Sequence, residues 1–479
     1  MAKLLGEIKD ETSGESIEAR VQILQSNGVY IHPRDAIMKI GTGDPYFYSN
    51  GSFEVDVQRG NTLIRVERGT EYSPFETTVE ASAQGSKTLD ITLSRWTTLQ
   101  ENGWHPGNTH IHYDENELRP DERLMLDPRV EDLRMTAISV LKRQELQYAS
   151  NKYPPGMLTE FSSTSHHVQC GQETRHNSDQ WEIGYGHVMI LNVHNVIEPV
   201  SRGLLVDSFA PDYPPLTYAC DEAKTQGGLV IWCHNGRGME APVVAALGKL
   251  DAFNLFDPYW MDPEYDIYYS MLNAGMRIPI STGSDWFLCS ANRVYTKSDQ
   301  QFDYNKWVGA LRAGHSFITN GPQLNFIAEG LNLGSEIDME PGSSVNCQIE
   351  WKSHYPINSV EIVVNGSVSH KASFHEGSRE GRLDKEIPVS CDSWLAVRVS
   401  GDVRDSFAQP IFAHTSPVYI NTGIKGKEKI AASKHFIKEI DASIEWVKTK
   451  GRFYSDSQRK EIINLFREGQ QIYKSITLP

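Results

Sequence analysis

The run LTYACDEAKTQGGLVIWCHN, residues 216–235, decides how the middle of this chain folds. LTYACDEAKTQ reads as a helix, and GGLVIWC after it reads as a continuous apolar strand. His234 comes directly after that strand, where a buried element gives way to a polar loop. The same rhythm extends both ways: MTAISVL, HVMILNV and RIPISTG are short apolar strands, and YNKWVGALRAG is a second helical stretch. Strands buried on both faces favour a parallel sheet or barrel, so residues 104–320 are expected to form one α/β unit.

The flanks have a different period. Residues 1–98 alternate apolar and polar side chains in EARVQIL, SFEVDV, TLIRVER, TTVEA and TLDITLSRW, which predicts a small β-sandwich. Residues 321–420 alternate again in QLNFIAEG, VNCQIEW, VEIVVNG and SWLAVRVSG, which predicts a second sandwich. Residues 423–479 form a helical tail: Phe436, Ile437, Ile440, Ile444 and Val447 recur at helical spacing. A capping box, SDSQ at 455–458, then precedes Ile462, Leu465, Phe466, Ile472 and Ile476. The tail is expected to dock on the body or on another subunit as a homo-oligomer contact. The fold class is therefore multidomain α/β plus all-β, a β/α barrel between two sandwiches with a helical C-terminal tail.

A chain of 479 residues exceeds one ordinary core, and 39% hydrophobic residues mark it as folded. The net charge of -16, with no basic run, argues against nucleic acid as a partner. No stretch is long and apolar enough for a membrane span. MAKLLGEIKD lacks the apolar core of a signal peptide, which reads as cytoplasmic, or as periplasmic or secreted if a leader has been removed. None of the six cysteines sits in a CxxC pair. Cys347 and Cys391 share a β-rich region, where a bridge and two unpaired thiols are the alternatives.

Ligand-type residues gather at the ends of the central strands. GWHPGNTHIHYDENE, residues 103–117, puts His110 and His112 two apart, on one face of a strand, where two imidazoles can share a metal. Glu173 ends HVQCGQE, His187 opens GHVMILNV, His234 follows GGLVIWC and Asp285 follows RIPISTGS. In a β/α barrel these ends form the face where catalytic groups converge. Imidazoles with carboxylates suit one or two divalent ions of zinc, manganese or iron, and a carboxylate can bridge a pair. Asp285 and His234 are the candidate catalytic groups, with Lys142 at the end of TAISVL as a third that could orient a substrate or be a solvated lysine. Arg143 and Arg293 share that ambiguity. His176, Asn320 and the trio Asp114, Glu115 and Glu117 are weaker candidates for the pocket.

An HxH, a Gly-x-Glu, a Gly-His before a strand, an isolated His after a strand and a final GSD together resemble the PHP superfamily of metallohydrolases. Residues 100–420 resemble its CehA/McbA-like branch, related to carbaryl hydrolases, above all in GHSFITNGP and AHTSPVYI. GEIKDETSGESIEARVQI resembles the start of carboxypeptidase-regulatory, transthyretin-like domains. The resemblance implies a distorted β/α barrel, with metal ligands at His110, His112, Glu173, His187, His234 and Asp285. It also implies hydrolysis of an ester, carbamate or related carbonyl bond in a small-molecule substrate. Two positions depart from the superfamily pattern: Phe287 stands where many members have a histidine, and Lys142 where they have an Asp-His pair. Both remove ligands, which points to one or two metals rather than three. The alternatives are a phosphodiesterase or phosphatase, which would need cations such as Lys142 or Arg293 in the pocket, and a non-catalytic metal-stabilised surface or carbohydrate-binding protein.

Overall fold

The computed structural model describes residues 2–82, 84–179, 183–234, 236–258 and 263–478. The chain is mixed α/β and mostly sheet, 41% strand against 21% helix, so sheets set its architecture.

At the N-terminus, strand Ala2–Asp10 lies between Ser52–Val57 and Ser86–Leu93 in a three-stranded sheet. A five-stranded sheet centred on Ala19–Gln25 packs against it over Leu4, Ile8, Val21, Ile23, Val55 and Ile64. The period-2 alternation of SFEVDV is the reason: Phe53, Val55 and Val57 are buried, and the residues between them are exposed.

This unit is fastened to the middle of the chain by buried charges. The Arg20 guanidinium pairs with Glu67 at 2.9 Å and also with Glu131. Glu131 in turn accepts from Arg293 at 3.2 Å. Arg68 and Arg95 converge on Asp132 at 3.2 and 2.6 Å. Arg293, a candidate pocket cation by sequence, is spent here, buried against Glu131.

The central strands are β1 (Trp104–His112), β2 (Met135–Val140), β3 (His167–Asn177), β4 (Ile183–Leu191), β5 (Leu229–Trp232), β6 (Ala252–Asn254), β7 (Ile280–Ser281) and β8 (Asp285–Trp286). β1, β2 and β3 run parallel. β4 is antiparallel to both its neighbours, β3 and β5. β5, β6 and β7 are parallel again. β8, a few residues beyond β7, pairs with the C-terminal half of β1, Asp285 beside Ile111 and Trp286 beside His112. The succession of pairings thus returns to its first strand. The expectation of parallel strands throughout is corrected at β4, whose apolar run is buried like the others but reverses direction.

The sheet does not stop at residue 320. Ser316–Thr319 pairs with Arg293–Lys297 on one side and with Pro410–Thr415 on the other. VNCQIEW and VEIVVNG are parts of one long strand, Ser344–Val364, which turns through Asn365 and Gly366 into Ser367–Pro388. Both turn residues have positive φ, 49° and 84°, as a tight two-residue hairpin requires.

The tail forms two helices, Lys427–Thr449 and Asp456–Thr477. Ser455 caps the second by accepting from the Gln458 amide. Their apolar faces join the central core through Phe436, Ile440, Ile444, Ile462 and Phe466, and the Tyr473 hydroxyl donates to the Pro242 carbonyl at 2.7 Å. The tail therefore docks on the chain's own body. All six cysteines are free, Cys347 and Cys391 included.

Candidate metal centre

β1 delivers two imidazoles to one point. His110 and His112 face each other through their Nε2 atoms at 3.0 Å, and both are fully buried. Each is held from behind: His110 Nδ1 bonds Asp257 Oδ2 at 2.9 Å, and His112 Nδ1 bonds the Ser139 carbonyl at 2.9 Å. A carboxylate or carbonyl on Nδ1 fixes the tautomer that leaves Nε2 free to bind a metal.

Glu173 stands between two groups of ligands. Its Oε2 lies 3.1 Å from His112 Nε2, and its Oε1 lies 2.9 Å from His187 Nδ1 and 3.9 Å from His234 Nε2. Asp285 closes the ring, 3.5 Å from both His110 Nε2 and His234 Nε2. Ligand atoms of His110, His112 and Asp285 lie within 4.8 Å of one another, as do those of His110, Glu173, Cys233 and His234. All six residues named from the sequence are thus neighbours.

Two of them sit differently from their sequence reading. Glu173 is inside β3 rather than at its end, and His187 is in the middle of β4, opposite Arg175. The reversal of β4 explains why a residue in its first half reaches the same mouth as residues at the ends of parallel strands. Asp285 adopts φ 66°, a left-handed backbone that an L-residue keeps only where its surroundings enforce it. Gly283 makes that turn possible. A Cβ there would overlap His110, so only glycine lets this loop lie against β1.

The charges show why a cation fits. Burial presses His110 toward neutrality, but Asp257 and Asp285 outweigh it and hold the imidazolium up to about 9. Burial lowers His112 and His234, and burial with Arg175 lowers His187 to about 4, so these three are neutral, the form that binds metals. Burial opposes ionisation of Glu173, yet Arg175 and His187 keep it well below the usual range. Burial raises Asp285 to about 7. Four imidazoles and two carboxylates enclosed together, one carboxyl pushed toward neutrality, make a donor set that a divalent cation of the zinc, manganese or iron type completes.

The remaining candidates separate cleanly. Lys142 does not bond this cluster: half exposed at the end of β2, it pairs with Glu198 at 2.6 Å, as a solvated lysine does. His176 bonds Asp212 at 2.9 Å. Asn320 donates to Asp405 and the Pro410 carbonyl. Glu117 accepts from Arg123. Phe287 packs on Tyr113 with Arg123 over its ring, an apolar site where a ligand would have no partner. Asp257, which the sequence reading passed over, belongs to the centre. It also accepts from the Gly283 amide at 2.7 Å. Its signal was the one that marked His234, a polar residue just beyond a short apolar strand.

A cleft of about 1020 Å³ opens beside the cluster. Trp286 lines it and stands 5.5 Å, ring to ring, from both His112 and Tyr148. Asp114, Glu115 and Arg143 lie along its central wall, and residues 40–42 and 408–410 supply the others.

No protein-family model matches the chain, and no curated protein does. Solved structures found similar include β-glucuronidases of Parabacteroides merdae, at 9% identity and TM-score 0.15, and Bacteroides uniformis, at 9% and 0.17. The alignments cover 85% and 87% of this chain but 61% and 62% of theirs, so it spans about three fifths of their length. Likeness at that level sets neither fold nor function. Among the described residues no helix is long and apolar enough to cross a membrane.

Proposed function

We propose that this chain is a metal-dependent hydrolase of the PHP type, acting on an ester, carbamate or related carbonyl bond, with β1–β8 as its distorted barrel. The observation that carries the reading is Glu173, whose two oxygens face different histidines, His112 on one side and His187 with His234 on the other. A carboxylate so placed, with His110, His112, His187, His234 and Asp285 around it, would help hold one or two divalent ions. Ions bound there supply Lewis acidity, lowering the pKa of a water and polarising the scissile carbonyl.

The protein's own groups have separable tasks. Asp257 orients His110, and the Ser139 carbonyl orients His112. Arg175, 3.3 Å from Glu173, keeps that carboxylate ionised. Asp285, beside both His110 and His234 and next to Trp286 of the cleft, is the carboxylate placed to accept the proton given up by the attacking water. Trp286 and Tyr148 form the floor on which the substrate lies. A phosphodiester reading needs cations over the site; Lys142 and Arg293 are paired with Glu198 and Glu131, which leaves Arg143 and Arg404 on the cleft wall to serve it.

The test is metal analysis with parallel assays on aryl ester, aryl carbamate and aryl phosphodiester substrates. Bound metal with chelator-sensitive turnover of an ester or carbamate is the expected result. Tightly held metal without turnover of any of the three would favour a binding protein.

A further inference from the structure

The cleft beside the metal centre is not built by the central strands alone. We propose that residues 40–42, a loop of the N-terminal sandwich, are a specificity determinant. This loop would select substrates whose non-reacting part is a bulky, uncharged apolar group. The inference rests on the hydrolase reading for what happens to that substrate, but not for its binding.

Three observations carry it. First, the loop is fixed as a wall. Gly41 and Gly43 have φ of 103° and 82°, and a Cβ on either would overlap a carbonyl oxygen, of Cys289 and of Ser406 respectively. Lys39 locks the loop, donating to the carbonyls of Thr42 at 2.5 Å and Ser406 at 3.1 Å, with its ammonium 4.4 Å from the Phe407 ring centre. The loop is thus threaded between the central unit and the 405–408 turn, with little room to shift. Second, apolar side chains gather along the cleft. Ile40 and Leu146 remain 36% and 41% exposed while lining it, above the aromatic pair Tyr148 and Trp286. Third, the charges along the wall cancel: Asp114 and Glu115 oppose Arg143 and Arg404. With no net charge to read, apolar fit is what separates one ligand from another, and the cleft has the volume of a site for a whole small molecule.

Ile40 is the residue to change, because its side chain supports no core. The substrates are p-nitrophenyl acetate, butyrate, hexanoate and octanoate. The binding probe is octanoate compared with acetate, so that the carboxylate's share cancels and the alkyl chain's share remains, titrated calorimetrically into metal-loaded wild type, I40W and I40A, with thermal melts as the folding control. I40W is expected to raise KM for the octanoate ester about tenfold and to leave the acetate ester within about twofold, since a few lost apolar contacts are worth that much in a pocket. I40W is also expected to weaken octanoate binding by a similar factor, and I40A to shift the chain-length preference without abolishing it. Octanoate binding that is sensitive to Ile40, without turnover of any ester, would sink the hydrolase reading and keep this one. Turnover and binding unchanged in both variants would overturn the specificity role and leave the hydrolase reading standing. Absence of both binding and turnover in wild type would overturn both.

Discussion

His110 and Asp257 are joined through Nδ1 and Oδ2 at 2.9 Å, and neither side chain is exposed to water. A buried carboxylate on Nδ1 decides which imidazole nitrogen is free. Asp257→Asn keeps the shape and removes the charge. Metal affinity is expected to fall by about 10- to 100-fold, as for other residues that orient a ligand histidine. Competition against a chelating dye measures it, and unchanged affinity would remove Asp257 from the centre.

Glu173→Gln, His234→Ala and Asp285→Asn are expected to leave the fold intact, because the role proposed for these groups is to bind a cation rather than to fill the core. Metal content falls in each, and turnover of an activated ester falls by about a thousandfold, the scale of lost Lewis-acid stabilisation. Chelation of the wild type is expected to lower its melting temperature, since an ion that binds only the folded chain stabilises it. Mutants with full, chelator-resistant activity would contradict the assignment.

Glu131→Gln tests the charge network between the N-terminal sandwich and the central strands. The substitution leaves Arg293 buried without its carboxylate, at a cost of about 3–5 kcal/mol. Denaturant midpoints on wild type and mutant give the number. A loss below about 1 kcal/mol would mean that water reaches Arg293.

Acid should destabilise the protein through histidines outside the metal centre. Burial lowers His166 and His167 to about 4 and His414 to about 3. Each binds its proton more weakly folded than unfolded, so the unfolded chain carries more protons between those values and about 6.5. The stability they contribute is complete above about pH 6.5 and drains away as pH falls through about 4 and then 3. His414→Gln is expected to flatten the lowest part of that limb in denaturation curves run from pH 7 to pH 3.5. A parallel limb in the mutant would exclude His414 as a source.

His234 and Asp285 were legible because polar residues next to buried apolar runs are conspicuous, whereas Glu173 and His187 lie inside β3 and β4 and their strand-end reading did not hold. Asp257 was not legible, because β6 is only three residues long and its apolar signal merges with Leu255 and Phe256. The antiparallel course of β4 was also hidden, since an apolar run buried on both faces looks the same in either direction. The alternation of SFEVDV predicted its own strand well. Nothing local to IMKIGTG could place residues 40–42 in one cleft with Trp286, because they lie more than two hundred residues apart. Arg293 failed for the same reason: a lone arginine beside a strand does not reveal that Glu131 is waiting for it.

The central strands return to β1 through very short pairings, two residues of β7 on β6 and two of β8 on β1, and Asp285 is the first residue of β8. So few backbone bonds open at less cost than the long ladder between β3 and β4. An ion bound as proposed between Asp285 and His110 would have one ligand in a two-residue pairing rather than in a long ladder. Its rate of exchange with free metal should follow the breathing of that pairing rather than the unfolding of the whole chain. The resident ion could then be replaced on a timescale of its own, in a molecule that stays folded throughout.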